Sequence, residues 1–228
     1  MKVRATRAIC SCYIYAHVDS PVVEWEALDH AYAQSIVSKI FDADGGEDVR
    51  RALGDTGEPI LAQVFSSQHP AMSVWDSWQL NQARDAYRQR FLQAYRATAK
   101  RANAQTARPI DAIICANAPH LAEKHLDGPR DGGLITYTTV WSLLDLPCTT
   151  LPVGKVDATE PRHARPTTLP TPLSKGDRMN AEQYTPERYQ NAPIVLQLIC
   201  PRRFHEDDLL AITAECERSL SAFTTTSA

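Results

Sequence analysis

The sequence predicts an α/β fold, a mixed sheet flanked by helices, on three observations. Short apolar runs of strand character alternate along the chain with stretches of three- and four-residue apolar spacing. No internal repeat interrupts that alternation. A chain of 228 residues is enough for one ordinary domain and hardly enough for two.

Taken in order, Val22–Trp25 is β-branched and short, and reads as a strand. Asp29 then opens a helix whose apolar face is Tyr32, Ile36, Val37 and Ile40, with Asp44-Gly45-Gly46 as its stop. Glu47–Leu53 reads as a second short helix, acidic at its start and basic toward its end. Gly54–Pro59 is a turn cluster. The strongest helix is expected over Val74–Ala104, free of Gly and Pro, with Leu80, Tyr87, Phe91, Tyr95 and Ala102 on one face. Asp111–Cys115 reads as a buried strand, Thr138–Leu144 as a helix ended by Pro147, and Thr149–Val153 as the next strand.

Residues 157–193 hold six of the 15 prolines and read as a long surface loop. Pro193–Cys200 restores a buried strand. An amphipathic helix over Glu206–Phe223, with Leu209, Leu210, Ala214 and Leu220 apolar, closes the chain before a short tail at 223–228.

Composition removes whole classes of function. Lys and Arg (24) are outnumbered by Asp and Glu (27), giving a net charge of −3. A protein that binds nucleic acid by neutralising phosphates needs the opposite balance, so no nucleic-acid partner is expected. Apolar runs fall short of the 18 or so residues that span a bilayer. Mean hydropathy is −0.34. The six cysteines, at 10, 12, 115, 148, 200 and 216, are too sparse for a disulfide-stapled domain. They are expected to be free thiols in a reducing compartment, the cytoplasm. Residues 1–16 carry three basic residues and no acidic one, faintly like a targeting segment, but their apolar part is short and contains a serine.

Several of these segments, in order, resemble the C-terminal half of an amidase-signature enzyme, closest to the fungal acetamidase and general amidase type with fatty acid amide hydrolase as a cousin. The matching pieces are Val22-Val-Glu-Trp25, Ala43-Asp-Gly-Gly-Glu-Asp48, Gly57-Glu-Pro59, Arg84-Asp-Ala-Tyr-Arg88 and Asp111-Ala-Ile-Ile-Cys115. They continue with Tyr137-Thr-Thr-Val-Trp-Ser-Leu-Leu-Asp-Leu-Pro147, Leu151-Pro-Val-Gly-Lys-Val-Asp157, Asp177-Arg-Met-Asn180, Ala192-Pro-Ile-Val-Leu-Gln-Leu198 and Arg202-Arg-Phe-His-Glu-Asp207. Their collinear succession over residues 22–222 carries the resemblance, and residues 1–21 match nothing in it.

The resemblance implies a partial amidase-signature fold and, for the family, hydrolysis of carbon–nitrogen bonds by a Ser–Ser–Lys arrangement. In that chemistry a neighbouring base activates a weak serine nucleophile, and a glycine-rich turn brings backbone N–H groups to the oxyanion. None of the nine glycines here is followed by serine. The chain is therefore expected to lack the N-terminal catalytic half, to carry no catalytic residue of its own and to be inactive alone, as a truncated amidase or a pseudoenzyme.

A small-molecule amide is the expected substrate if an upstream half completes the fold, in nitrogen scavenging or in a metabolite pathway. No cofactor and no metal are expected. Uncovered sheet edges and core faces would favour association of copies.

The resemblance also implies that Thr138, Thr139 and Trp141 line the acyl side of a substrate channel, with the loop after Asp111–Cys115 near its mouth. Against that stands the general habit of large aromatics to pack inside, which would make Trp141 core. Two departures alter the neighbouring loops: the family's proline after the Asp111–Cys115 strand is displaced to Pro119, and its glycine after Ile199 is replaced by Cys200-Pro201.

Other constellations are weaker. Ser66-Ser67 lacks flanking glycines and reads as a polar loop. His120 and His125, with Glu123 between them, lack the His-Glu-x-x-His spacing and an evident third ligand. Cys10-Ser-Cys12 has one intervening residue where redox and zinc motifs have two. Lys155 matches a family strand end and reads as a solvated surface residue. Two rival functions stay open: a non-catalytic module that binds an acyl or aromatic ligand or a partner protein, and an enzyme with an unrecognised site around His120, Glu123 and His125.

Overall fold

The computed structural model describes residues 23–59, 70–102, 108–122, 134–167, 171–172 and 174–226. They fall into two compact units, Leu28–Ala94 and a larger one that holds the rest. The N-terminal basic segment, Cys10, Cys12, Ser66, Ser67, Glu123 and His125 lie outside the described residues.

In the smaller unit, α1 (His30–Phe41) starts where expected, because the Asp29 side chain accepts the Tyr32 N–H at 3.2 Å. It buries Ala33, Ile36 and Val37, one stripe at three- and four-residue spacing. Tyr32 and Ile40, expected on that stripe, are exposed. Asp44 then forms the entry to α2 (Glu47–Gly54), its carboxylate accepting from Gly46 at 2.7 Å and Asp48 at 2.8 Å. Those two backbone donors hold the carboxyl below its usual range. Gly45 and Gly46 sit at φ +64° and +82°, which explains why the turn needs two glycines.

α3 (Val74–Ala97) buries Tyr87 and Phe91 from the expected stripe. The Tyr87 hydroxyl donates to the Leu28 carbonyl at 2.8 Å, and burial pushes its pKa up to about 12. Near its start, Trp75 and Trp78 pack edge to face with ring centroids 6.4 Å apart and stay exposed.

The long helix was expected to run to Ala104, but it is interrupted at Thr98 before a four-residue turn of helix, α4 (Ala99–Ala102). Thr98 is fully buried; its hydroxyl donates to the Tyr95 carbonyl at 2.6 Å and accepts the Ile110 N–H at 3.1 Å. A side chain that bonds its own turn competes with the helical pattern, which is the physical reason for the break. Val23–Trp25 has no regular structure, against the strand expected over Val22–Trp25: no described strand pairs with it, and a strand needs a partner.

The larger unit is built on three strands, β1 (Ile113–Ala116), β2 (Cys148–Lys155) and β3 (Pro193–Ile199), in the order β1-β3-β2. Both pairings are antiparallel, so the expected mixed sheet is refined among the described strands: β1 and β2 run the same way but are separated by β3. The register aligns Cys115, Gln197 and Thr150 across one face, and Ile114, Leu198 and Thr149 across the other.

The second face packs on α7 (Glu206–Thr226). Its core is Leu151, Leu198, Cys200, Leu209 and Cys216, flanked by Ile114, Val153, Ile212 and Leu220. Leu210 and Ala214, expected on the apolar face of this helix, are exposed, because the 100° step selects 209, 212, 216 and 220 instead. Truncating Leu198, which has no exposed surface, is expected to cost about 2–5 kcal/mol, read as a shifted urea midpoint for Leu198→Ala.

The described residues of the proline-rich stretch 157–193 include short helical elements. They contain a 3-10 turn (Pro161–His163) and the helix α6 (Lys175–Gln183), capped by Ser174, whose hydroxyl accepts the Asp177 N–H at 3.0 Å. The Tyr184 hydroxyl donates to the His163 carbonyl at 2.8 Å, and the Ala158 N–H reaches Gln190 Oε1 at 2.7 Å. These bonds satisfy backbone groups that the proline-rich composition leaves outside any sheet.

Candidate ligand-binding site

The face of the sheet opposite α7 opens into a recess of about 400 Å³. Its lining from β3 and β2 is Gln197, with Cys148 and Thr150 on the same face of the sheet, and Thr149, which lies between those two along β2. Asn117, just past β1, and Thr138 and Ser142, around the start of α5 (Thr139–Leu144), complete the wall.

Every residue in this lining is uncharged, and none is aromatic or a branched aliphatic. Hydroxyls are present, but the lining holds no His, Lys or carboxylate to take a proton from them, so it supplies no activated nucleophile. The arrangement can bind and orient a small neutral molecule; recesses of this volume are of ligand size.

Gln197 organises the site. It interrupts the apolar run of β3 and is 2% exposed. Its Nε2 donates to the Tyr137 carbonyl at 2.8 Å and the Ala116 carbonyl at 3.0 Å, and lies 3.2 Å from Cys115 Sγ. One side chain thus ties the end of β1 to the turn that leads into α5. Sequence reasoning missed it, although a lone amide inside Pro193–Ile199 was a visible signal: a buried polar group must be hydrogen-bonded.

Of the three expected site residues, Thr138 reaches the recess. Thr139 and Trp141 are 6% and 3% exposed and do not line it. They lie on α5, where Thr139, Val140, Trp141, Leu143 and Leu144 are all buried and only Ser142 is open. A helix buried nearly all round is a core element.

Cys148 is exposed as a residue, yet its thiol is desolvated, approaches the Leu146 carbonyl at 3.5 Å and has its pKa pushed up to about 12 by that burial and by Cys115. The Tyr137 hydroxyl is raised for the same first reason, with Asp177 and Cys115 adding to it.

Of the weaker candidates, His120 and Lys155 lie among the described residues, whereas Glu123, His125, Ser66, Ser67, Cys10 and Cys12 do not. His120 Nδ1 meets the Leu121 carbonyl at 2.8 Å. Among the described residues no three of His, Cys, Asp and Glu are grouped to hold a metal ion, and no helix is long and apolar enough to cross a membrane. Lys155 is exposed at the end of β2.

A three-stranded antiparallel sheet with one face on a helix and the other on a neutral recess can be compared with known proteins. No family model matches the chain. The chain is nevertheless related to the amidase signature family and corresponds to its C-terminal portion. A Schizosaccharomyces pombe protein assigned as an amidase is 33% identical over 197 residues, 85% of this chain and 34% of that protein. Amidase 2 of Gibberella moniliformis is 30% identical over 82% of this chain and 35% of its own length, and the acetamidase of Aspergillus oryzae 32% over 84% and 33%. Among solved structures, fatty acid amide hydrolase shares the fold with a TM-score of 0.69 at 22% identity, over 87% of this chain and 33% of that one. The chain thus spans about a third of the length of the relatives it matches.

Proposed function

We propose that this chain is the C-terminal part of an amide hydrolase and forms a neutral wall against which an amide substrate lies. The Ser–Ser–Lys chemistry comes from polypeptide outside the matched third, and the 228 residues alone do not turn over. The observation that carries the reading is the recess itself: hydrogen-bonding groups on a fold shared with amidases, without a base beside any hydroxyl.

Thr138 and Ser142 face the substrate in this reading, while Thr139 and Trp141 hold α5 in place behind them. The free thiols Cys115, Cys148, Cys200 and Cys216 favour the cytoplasm as its setting. The rival module for acyl or aromatic ligands is less well supported, since no aromatic or branched aliphatic side chain lines the recess.

The test is a chimera in which residues 22–222 replace the matching third of the Aspergillus oryzae acetamidase, assayed for ammonia release from small amides beside the chain alone. Release by the chimera and none by the chain is expected. Turnover by the chain alone, or a folded but inactive chimera, would overturn the proposal.

A further inference from the structure

A hydroxyl residue directly before proline occurs at three places in the chain. Thr171-Pro172 and Thr185-Pro186 fall in the proline-rich stretch, while Ser20-Pro21 lies outside the described residues.

The two Thr-Pro pairs are held differently. Thr171 is exposed, belongs to no helix or strand, and its hydroxyl makes no hydrogen bond among the described residues. Thr185 is half-buried, and its Oγ1 accepts the Arg188 N–H at 3.2 Å. Pro186 is buried, and its carbonyl accepts the Tyr189 N–H at 3.2 Å, which closes a turn.

Phosphoryl transfer needs the accepting hydroxyl in line with the γ-phosphate, so the segment that carries it must leave its own fold and lie in a kinase cleft. A proline ring keeps the residue before it out of the helical region and biases it toward an extended shape. Proline also lacks an N–H, so an apolar pocket can close on Pro172 without leaving a donor unpaired. Thr171 has no described bond to break first. Thr185 must open its turn and uncover Pro186.

Charge favours the same residue. Between Glu160 and Asp177 the chain holds Arg162, Arg165 and Lys175 and no carboxylate, in a protein whose net charge is −3. A phosphothreonine adds about −1.5 to −2 charges at pH 7. In this basic stretch that charge is offset rather than repelled.

We propose that Thr171 is a modification site: a proline-directed serine/threonine kinase phosphorylates it and passes over Thr185, although both carry the same dipeptide. Thr171 Oγ attacks the γ-phosphorus of ATP. The new O–P bond forms as the bond to the β-phosphate oxygen breaks, ADP leaves with the electron pair, and the hydroxyl proton passes to the base of the kinase. This site does not rest on the amide-hydrolase reading.

The test incubates the full 228-residue chain with a purified mitogen-activated protein kinase and Mg-ATP, then maps the phosphate by peptide mass. Phosphate on Thr171 and none on Thr185 is expected. Thr171→Ala and Pro172→Ala are both expected to lose the Thr171 label, and Thr171→Ser to keep one at that position. No phosphate on Thr171, equal phosphate on Thr171 and Thr185, or full labelling of Pro172→Ala would overturn the proposal. Should Pro172→Ala fail to fold, the map of the unaltered chain decides alone.

Discussion

Replacing Trp141 by alanine is expected to cost about 3–5 kcal/mol of stability, the range for emptying a large aromatic site in a packed interior. The reason is its surroundings: Trp141 is 3% exposed on a helix that buries five of its six residues. Ser142→Ala, on the one open position of the same helix, is expected to stay within about 0.5 kcal/mol. Urea unfolding of both variants measures the contrast. Equal and small losses would return Trp141 to the channel wall that the family resemblance implied.

The second large effect is chemical. Cys148 should resist alkylation although its residue is exposed. With its pKa near 12, its thiolate fraction at pH 8 lies about three orders of magnitude below that of a thiol at the ordinary 9.0. Iodoacetamide labelling at pH 8, mapped by peptide mass, is expected to leave Cys148 unmodified in the folded chain and to label it in urea. Fast labelling in the folded state would show that the sulfur is solvated.

The same shift has a sign for stability. The raised thiol keeps its proton when the unfolded chain has lost it, so folding is favoured below pH 9 and the advantage fades as pH rises toward 12. Tyr87, also raised to about 12, adds to alkaline loss above its ordinary value of 10.0.

Much of this architecture could be read from the chain. Asp29 as a cap, the Tyr87 and Phe91 pair and the apolar runs at Ile113 and Pro193 are local signals with local causes, and each gave an element near its place. What stayed hidden depends on pairing. Whether β3 runs with or against its neighbours is decided by hydrogen bonds between residues some 80 apart, as at Cys115 and Gln197. The helix α6 was obscured by surrounding prolines, although Ser174 followed three residues later by Asp177 has the form of a helix start. The recess was legible at Thr138 alone. Ser142, Thr150 and Gln197 are ordinary in sequence and become a set only when α5 and the sheet meet.

The central position of β3 sets an order of events during synthesis. Both outer strands leave the ribosome before the strand that joins them: β2 ends at Lys155 and β3 begins at Pro193. At about 5–20 residues per second, the roughly 40 residues between them take on the order of seconds to appear. For that interval β1 and β2 have no β3 to pair with, the condition in which chains stick to one another. Within β2, Pro152 removes a backbone donor, the register slips between Pro152 and Gly154, and Lys155 places a charge at the end. The same features that make β2 an irregular edge among the described strands disfavour such sticking while the nascent chain waits for its centre.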